Sequence, residues 1–358
     1  MSRVEGFARA LTSAGADGAI ISSEINQRYL SGLDYSDGYI FITPDEAFLL
    51  TDSRYIEIAK RQVKDLTVVL SSGSMLTSLC NIINEKKCSH ILVEESEICL
   101  ASFQNLDKKL PHVEITSGAS EILKNMRAVK SPNELGRIAE AQRLTDAAFS
   151  HILGFISPAR TEKEIALELE FFMRKNGAEG TAFDTIAVSG ASSSLPHGVP
   201  VDVPLKHGFL TMDFGARVDG YCSDMTRTVV IGKADDEIKK VYSTVLCAQK
   251  AALDMICEGV NCHSVDKCAR DIINAAGYEG CFGHGLGHGV GMLVHEAPRL
   301  SPSAQKDSSL KRGMTTSVEP GIYIAEKYGC RIEDLVAIDV DGKVLNMTKS
   351  NKEMIELF

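Results

Sequence analysis

The sequence predicts an α/β protein with a small N-terminal domain and a larger C-terminal domain, and three observations support this. Short apolar runs alternate with helical segments over about the first 125 residues, a pattern typical of a small α/β domain. A helix start signal then follows a boundary near residues 126–131. Every residue with a convincing metal-ligand setting lies beyond that boundary. We therefore predict domains at residues 1–126 and 127–358.

The N-terminal domain is predicted from alternating strands and helices. Its apolar, β-branched runs read as strands, and the amphipathic segments between them read as helices. The predicted strands are Gly18–Ile21, Tyr39–Ile42, Ala47–Leu50, Leu66–Leu70 and His90–Val93. The predicted helices are Arg54–Val63 and Met75–Glu85.

Helix start signals are the strongest local features of the C-terminal domain. Ser131 is placed to cap a helix, Pro132 takes its first position, and Glu134 completes a capping box. The segment Thr161–Glu164 repeats this pattern, and Asn176–Gly177 supplies a matching stop. Two more helices are predicted at about 236–256 and 264–276. Strands and turns between and after these helices carry the candidate ligands.

Composition and charge exclude several classes of protein. The chain has 358 residues, 44% of them hydrophobic, which is enough for a large core. A net charge of -10 without a basic run is unlike a nucleic-acid binder. The N-terminal residues lack the apolar core of a signal peptide, and no stretch approaches the ~20 apolar residues that span a bilayer. Ten scattered cysteines without a Cys-x-x-Cys pair predict reduced thiols. We expect a soluble, cytoplasmic protein without nucleic-acid or membrane partners.

Asp213 and Asp224 lie on either side of a predicted β-hairpin. Apolar runs flank the turn sequence Arg217–Gly220, and two registers fit it. A loop at 218–219 places the aspartates directly opposite each other, whereas a loop at 219–220 places them diagonally. Both registers put the side chains on one face, because faces alternate along a strand. Two carboxylates on an apolar face would repel unless a cation lies between them. The alternative is a solvent-exposed face with two ordinary surface acids.

A second pair of acids, Glu319 and Glu333, follows further along the chain. The segment Thr315–Val318 leads into Glu319, and Arg331–Val340 is predicted as a strand. Arg331 and Glu333 share a face in that strand, so the arginine is placed to neutralise or orient a ligating carboxylate. Taken alone, this pair also fits a surface array of salt bridges.

A glycine run carries three histidines. Glycines alternate with other residues from Gly283 to Gly291, which allows unusual backbone angles and close approach of the chain to a site. The spacing does not fit a dinucleotide-binding motif. His284, His288 and His295 lie in or beside the run. The alternative for each histidine is a hydrogen-bonded core residue. A helical zinc motif beginning at His295 is excluded, because its fifth residue is arginine and a proline interrupts it.

The ordered set of five donors predicts two divalent cations bound close together. The donors are Asp213, Asp224, His288, Glu319 and Glu333. Four carboxylates and one imidazole form a mainly hard donor set. Such a set favours manganese, cobalt or iron over a structural zinc site, although catalytic zinc also fits.

At these residues the chain resembles the pita-bread-fold metallopeptidases, and within them the Xaa-Pro dipeptidase (prolidase) and aminopeptidase P group. The resemblance covers nearly the whole chain and implies a creatinase-like N-terminal domain and a pita-bread catalytic domain. It also implies ligand roles: Asp213 chelates one metal, Asp224 and Glu333 bridge both, and His288 and Glu319 hold the second. In the N-terminal domain the resemblance rests on Asn26–Gly32 and Thr51–Tyr55.

The resemblance extends to residues around the metals. The segment Ser194–Gly198 matches one that carries a substrate-side histidine, which makes His197 a candidate catalytic residue. His295 matches a second histidine near the scissile group. Further positions match supporting or substrate-binding residues; they are His284, Tyr323 and Arg331. Glu319 is our candidate proton shuttle.

The implied activity is metal-dependent hydrolysis of the peptide bond before proline. The substrates would be proline-containing dipeptides or short peptides. A dipeptidase must bind the free carboxylate after proline, and Arg299 is a candidate for that contact. The alternative for Arg299 is a surface or salt-bridge residue.

Dipeptidase and aminopeptidase P activity both fit the sequence, and the family resemblance also predicts a homodimer. Three competing functions are a methionine or general aminopeptidase, a creatinase-like C–N hydrolase and a catalytically inactive binding module. The binding module would be expected to have lost metal ligands, whereas all five donors are present here.

Overall fold

The computed structural model describes residues 2–358, which divide into two compact units between Met126 and Arg127. Within the described residues, all ten cysteines are free thiols. Among the same residues, no helix has both the length and the apolar composition needed to cross a bilayer.

The first unit is a six-stranded mixed sheet with helices packed against it. The strand order is β4-β3-β2-β1-β5-β6, and β2 runs antiparallel to both of its neighbours. The strands are β1 (Gly18–Ile21), β2 (Tyr39–Ile42), β3 (Ala47–Thr51), β4 (Thr67–Leu70), β5 (His90–Val93) and β6 (Glu114–Ser117). The helices are α1 (Arg3–Ser13), α2 (Glu24–Ser31), α3 (Ile56–Gln62), α4 (Met75–Glu85), α5 (Leu100–Lys109) and α6 (Ala119–Ala128). The five predicted strands are confirmed to within one residue at each end.

Four helices of the second unit form two sequential pairs. They are α7 (Pro132–Phe155), α8 (Glu162–Lys175), α9 (Asp236–Met255) and α10 (Cys262–Ala275). Both predicted capping boxes are confirmed, with Ser131 and Thr161 as the N-caps. Helix α10 begins earlier than predicted, because the Asn261 side chain accepts a hydrogen bond from Ser264 N at 3.0 Å. Buried faces of α9 and α10 pack in one core that includes Val245, Val265 and Val318.

Short strands build the rest of the second unit and form several small sheets. The strands are β7 (Gly180–Thr181), β8 (Ile186–Ser189), β9 (Gly208–Phe214), β10 (Ala216–Val218), β11 (Tyr221–Cys222), β12 (Met225–Ile231), β13 (Gly287–Gly289), β14 (Glu296–Leu300), β15 (Thr315–Val318), β16 (Gly321–Ile324), β17 (Tyr328–Arg331), β18 (Asp334–Ile338), β19 (Val344–Asn346) and β20 (Glu356–Leu357). The central sheet has the order β20-β12-β9-β8. Its neighbours include the β15-β18-β19 sheet and the β13-β14 and β16-β17 pairs.

The hairpin that carries both aspartates adopts the diagonal register. Asp213 pairs with Thr226 rather than with Asp224. The tight turn falls at Asp219–Gly220, and both residues have positive φ, 46° and 80°. This is the backbone conformation of the hairpin turns whose twist matches that of the flanking strands. Turn chemistry therefore decides between the two registers that the sequence allows.

The predicted strand Arg331–Val340 is wrong as a single element. The structure divides it into β17 and β18, with Ile332 and Glu333 outside both strands. The division occurs because β17 pairs with β16, whereas β18 pairs with β15 in a different sheet. Between them, Glu333 N donates to Thr226 O at 3.1 Å. The break attaches Glu333 to the strand that follows Asp224.

Candidate metal centre

The five predicted ligands occupy strand ends and one short central strand of the second unit. Asp213 lies near the end of β9, and Asp224 directly precedes β12. His288 is the middle residue of β13. Glu319 directly follows β15, and Glu333 directly precedes β18. Short strands thus bring together five residues, of which the first, Asp213, and the last, Glu333, are 120 positions apart in the sequence.

Three of the five ligands form a tight, buried cluster. Donor atoms of Asp224, His288 and Glu333 all lie within 4.8 Å of one another. His288 Nε2 is 3.7 Å from Asp224 Oδ2 and 3.2 Å from Glu319 Oε1. The structure therefore joins the glycine run to both predicted acid pairs and contradicts their interpretation as independent surface acids.

Two carboxylate oxygens at this cluster are buried without a hydrogen-bond partner among the described residues. They are Asp213 Oδ1 and Glu333 Oε1. The second oxygen of each group is satisfied: Arg331 Nη2 donates to Asp213 Oδ2 at 2.6 Å, and Thr226 Oγ1 donates to Glu333 Oε2 at 2.7 Å. A buried carboxylate oxygen without a hydrogen-bond partner destabilises the folded protein, so a bound cation would be a suitable partner for both atoms. The hard oxygen donors fit divalent cations.

The pKa values of three of the four carboxylates are raised, because these groups are buried close to one another. Burial, together with the charges of neighbouring carboxylates, raises the pKa of Asp224 and of Glu333 well above the ordinary range. Burial also raises the pKa of Asp213, although Arg331 opposes that change. For Glu319, burial acts in the same direction, but the hydrogen bond and charge of His288 prevail and lower its pKa to about 2. Bound cations would favour the ionised form of all four acids.

His288 is oriented to offer one ring nitrogen to the cluster. Its Nδ1 lies 3.2 Å from Gly289 O, so an Nδ1–H donates to that carbonyl in the neutral ring. Nε2 is the ring nitrogen that faces Asp224 and Glu319, and it would offer its lone pair to a bound cation. A backbone carbonyl that fixes the tautomer is the usual partner of a metal-ligating histidine.

The glycines beside His288 are required by close backbone approach. A Cβ on Gly287 would lie 2.0 Å from Ser317 O, and one on Gly289 would lie 2.0 Å from Ala297 O. Any side chain there would push β13 away from its neighbours. The glycine run therefore allows the histidine strand to lie directly against the strand that leads to Glu319.

A hydrogen-bonded chain links Asp213 to His284. Arg331 donates to Asp213 through Nη2 and to Tyr323 Oη through Nη1, the second bond at 2.6 Å. Tyr323 Oη lies 3.0 Å from His284 Nε2, and His284 Nδ1 lies 2.8 Å from Gly285 O. Burial lowers the pKa of His284, in keeping with a neutral ring that accepts from Tyr323. These contacts favour a positioning role for Tyr323 and His284, and their direct contact with substrate remains a prediction.

His295, His197 and Arg299 lie around the cluster without joining it. The His295 ring packs edge-on against His288, with centroids 4.4 Å apart. His295 is exposed, but desolvation of its ring by neighbouring groups and the charges of His288 and Arg299 lower its pKa to about 4. His197 is exposed, and its charge also acts on His295 and His284. Arg299 is exposed and pairs with His288 across β13 and β14.

A buried cluster of charged side chains next to His295 is not predicted from the sequence; it consists of Glu296, Lys130 and Arg127. Glu296 is buried, lies 3.2 Å from Lys130 Nζ and 3.2 Å from Arg127 Nε, and accepts from Leu293 N at 3.1 Å. These contacts hold the turn from which His295 projects. A lysine immediately before a capping box gives no signal of burial, so only the tertiary structure identifies this support.

Comparisons with known proteins give the class of this chain. Residues 136–339 match the family described as metallopeptidase family M24, and residues 3–129 match the creatinase/prolidase N-terminal domain. A Xaa-Pro dipeptidase of Pyrococcus furiosus is 35% identical over 99% of both chains. A Xaa-Pro dipeptidase structure from Bacillus anthracis superposes with a TM-score of 0.95, at 37% identity over 99% of both chains. An X-Pro aminopeptidase structure from Thermotoga maritima gives a TM-score of 0.89, at 37% identity over 98% of this chain and 100% of that one.

These matches define a hydrolase with a creatinase-type N-terminal domain and a pita-bread domain. The chain belongs to metallopeptidase family M24. The predicted resemblance, the fold class and the assignment as an enzyme are thereby confirmed. Membership of this family also implies the use of divalent metal, which agrees with the buried cluster of Asp224, His288 and Glu333.

Proposed function

We propose that the chain is a Xaa-Pro peptidase whose second unit, Arg127–Phe358, hydrolyses the peptide bond before proline with two divalent cations. The observation that carries the proposal is the cluster of Asp224, His288 and Glu333, with Glu319 beside His288. Asp213 and Glu333 each add a buried oxygen without a hydrogen-bond partner among the described residues. A fold that buries like charges this closely is costly unless cations are bound. The proline preference follows from the similarity to Xaa-Pro dipeptidases.

We assign the five donors to two ions from their resemblance to the ligands of the family. Asp213 would hold one ion, His288 and Glu319 the other, and Asp224 and Glu333 both. The close approach of Asp224, His288 and Glu333 supports the sharing of carboxylates between ions. Four carboxylates with a single imidazole favour manganese or cobalt, with zinc or iron as alternatives.

Cations bound at this centre supply Lewis acidity, which polarises a carbonyl and favours ionisation of water at neutral pH. Glu319 is the candidate proton carrier from the attacking water to the leaving nitrogen. Its Oε1 accepts from Ser317 Oγ at 3.1 Å and contacts His288, so we assign the transferred proton to Oε2. The hydrogen bond from Ser317 and the contact with His288 fix the carboxylate plane during that transfer.

Two histidines are proposed to act on the substrate carbonyl. A neutral His295 keeps one N–H, which it can donate to the oxygen that gains negative charge. His197 lies on an exposed loop that precedes β9 and would supply a second donor. Arg331, Tyr323 and His284 would keep Asp213 and the surrounding loops in place, since Arg331 Nη1 also donates to Pro196 O at 3.3 Å.

Arg299 is the proposed anchor for the free carboxylate of a dipeptide. It lies opposite His288 in the β13-β14 pair and has no ion-pair partner among residues 2–358. An exposed, unpaired guanidinium beside the reacting groups is suited to bind a carboxylate. This contact favours dipeptidase activity. Aminopeptidase P activity is the second candidate, because the X-Pro aminopeptidase from Thermotoga maritima and the Xaa-Pro dipeptidase from Bacillus anthracis are both 37% identical to this chain.

The deciding experiment strips the metal and compares hydrolysis of Ala-Pro and Ala-Pro-Ala-Ala after addition of manganese, cobalt or zinc. Cleavage of Ala-Pro alone supports a dipeptidase, and cleavage of the longer peptide supports an aminopeptidase P. A Met-Ala peptide tests the general aminopeptidase alternative. Absence of metal-dependent cleavage of any peptide contradicts the proposal and leaves the creatinase-like hydrolase and the binding module.

The homodimer and the cytoplasmic location remain predictions from the sequence. Light scattering of the metal-loaded protein measures the first, and fractionation of cells measures the second. A monomer in light scattering would contradict the predicted homodimer.

A further inference from the structure

Arg227 is a fully buried arginine directly behind the candidate metal centre. All of its guanidinium nitrogens donate: Nε to Asn351 O at 3.1 Å, Nη1 to Thr226 O at 3.0 Å and to Glu333 O, and Nη2 to Ser350 O at 2.9 Å. Its side chain is 1% exposed. The arginine thus connects the backbone of a proposed ligand to residues near the C-terminus.

The charge of Arg227 is balanced within the same buried cluster. Arg227 Nη2 lies 2.7 Å from Asp334 Oδ1, and Asp334 directly follows Glu333. Lys352 Nζ pairs with the other oxygen of Asp334 and also donates to Gln249 Oε1 at 3.0 Å. Asp334 therefore lies between an arginine from β12 and a lysine from the C-terminal segment. A paired charge of this kind fixes geometry, because each group is costly to bury alone.

The C-terminal segment that supplies these contacts is itself fastened at both ends. We name residues 349–352 the C-terminal strap. Asp146, on α7, accepts from Lys349 N at 3.0 Å, from Ser350 N at 2.8 Å and from Ser350 Oγ at 2.6 Å. Tyr242 Oη donates to Lys352 O at 3.1 Å. The strap is thus held by α7 and α9, and it presents carbonyl oxygens to Arg227.

We propose that Arg227 and the C-terminal strap are a positioning device that sets the metal affinity of the centre through Glu333. Glu333 lies outside any strand, so the β-ladder alone does not fix it. Its backbone is held on one side by Thr226 and on the other by Arg227, whose guanidinium is held by the strap. The inference rests on the proposed function, since Glu333 must be a metal ligand for its position to matter.

Loss of the Arg227 contacts should change metal affinity, because residues that hydrogen-bond to a metal ligand determine how that ligand is oriented. Loss of such a partner typically weakens metal binding roughly 10–100-fold. Arg227→Lys keeps the charge but cannot reach the four carbonyl oxygens and Asp334 together. Lys352→Met and Asp146→Ala loosen the strap without touching any proposed ligand, so they separate positioning from direct ligation.

The test titrates the metal-free wild type and these three variants with Mn²⁺ in a calorimeter. Circular dichroism establishes that each metal-free protein is folded, and Ala-Pro hydrolysis is then followed against the Mn²⁺ concentration. Lys250→Met is the matched control, because Lys250 lies beside the strap in an exposed pair with Glu353, 2.9 Å apart. Such a surface pair has little energetic weight.

We expect Arg227→Lys to weaken Mn²⁺ binding roughly 10–100-fold and the two strap variants about 10-fold, with hydrolysis restored at saturating Mn²⁺. The control should stay within about twofold of wild type. Folded strap variants that bind Mn²⁺ like wild type overturn the inference, even if Arg227→Lys does not fold. A wild type that binds no Mn²⁺ overturns the metal centre itself and this inference with it.

Discussion

A buried carboxylate in the first unit, Glu94, contrasts with the buried carboxylate Glu333 in the second. Glu94 is fully buried, yet both oxygens are satisfied: Ser23 N and Ser23 Oγ donate at 2.8 and 2.6 Å, Asn26 Nδ2 at 2.5 Å, and Ser22 N also donates. Glu333 is also buried, but its Oε1 has no hydrogen-bond partner among the described residues. Burial alone therefore does not identify a metal site.

The difference lies in what surrounds each acid. Glu94 directly follows β5 and accepts from the backbone N–H groups of Ser22 and Ser23, which directly precede α2, and from Asn26 in the first turn of that helix. Glu333 instead meets Asp224, Glu319 and Asp213, and burial together with the charges of these acids raises its pKa. The first arrangement is complete as a folded structure. The second needs cations, and this difference predicts opposite consequences for the same substitution.

The largest effect is expected for Glu333→Gln. Removing a ligand shared by both ions should lower Ala-Pro hydrolysis by more than roughly 100-fold. Loss of a residue that only hydrogen-bonds to a metal ligand already lowers metal affinity or activity by up to about 100-fold. The metal-free variant should be at least as stable as wild type, because a repelled buried charge is lost. Hydrolysis at low metal and thermal unfolding of the metal-free protein measure both effects.

The exposed Glu279→Gln is the control for that substitution and should leave activity and stability unchanged. Activity of Glu333→Gln above a few per cent of wild type at low metal would contradict the two-metal centre.

The substitution His197→Ala tests whether a residue near the metal centre can act on the substrate without binding metal. We expect kcat to fall roughly 10²–10⁴-fold, the range for loss of proton-transfer or oxyanion help. Mn²⁺ affinity should stay close to wild type, because His197 is exposed and lies outside the ligand cluster. Calorimetric titration and steady-state kinetics measure the two, with His112→Ala as a control. Unchanged kcat would remove His197 from the site.

A smaller effect is expected for Arg299→Met. Loss of a charge-assisted contact should lower kcat/KM for Ala-Pro roughly 10–100-fold, mainly through KM. The amide Ala-Pro-NH2 lacks the free carboxylate, so its hydrolysis should hardly change. Arg299→Lys should recover part of the loss. Equal losses for acid and amide substrates would contradict carboxylate binding by Arg299.

The smallest effect on the reaction is expected for Glu94→Gln. Several donors would lose a charged acceptor, so the free energy of unfolding of the first unit should fall by about 1–3 kcal/mol. Mn²⁺ affinity should be unchanged. Chemical denaturation compares it with Glu97→Gln, an exposed control three residues away. A Glu94→Gln protein as stable as the control would mean that the hydrogen bonds around Glu94 contribute little.

Several features follow from the sequence alone because their causes are local. Capping boxes at Ser131 and Thr161 place two helices of the second unit correctly. Period and β-branching place five of the six strands of the first unit to within one residue, whereas β6 is not predicted. The chemical type of the five donors predicts divalent cations, since hard carboxylates with one histidine suit them. The metallopeptidase assignment comes from the resemblance of the ordered donor set to that family.

Tertiary structure decides what depends on contacts between distant segments. The sequence allows two hairpin registers, and the conformation of Asp219–Gly220 selects the diagonal one. A run from Arg331 to Val340 has the pattern of one strand, but competition between two sheets divides it at Glu333. No local pattern identifies Arg227 as the link between Glu333 and the C-terminal strap. Its role arises from hydrogen bonds across more than a hundred residues, which periodicity and propensity do not encode.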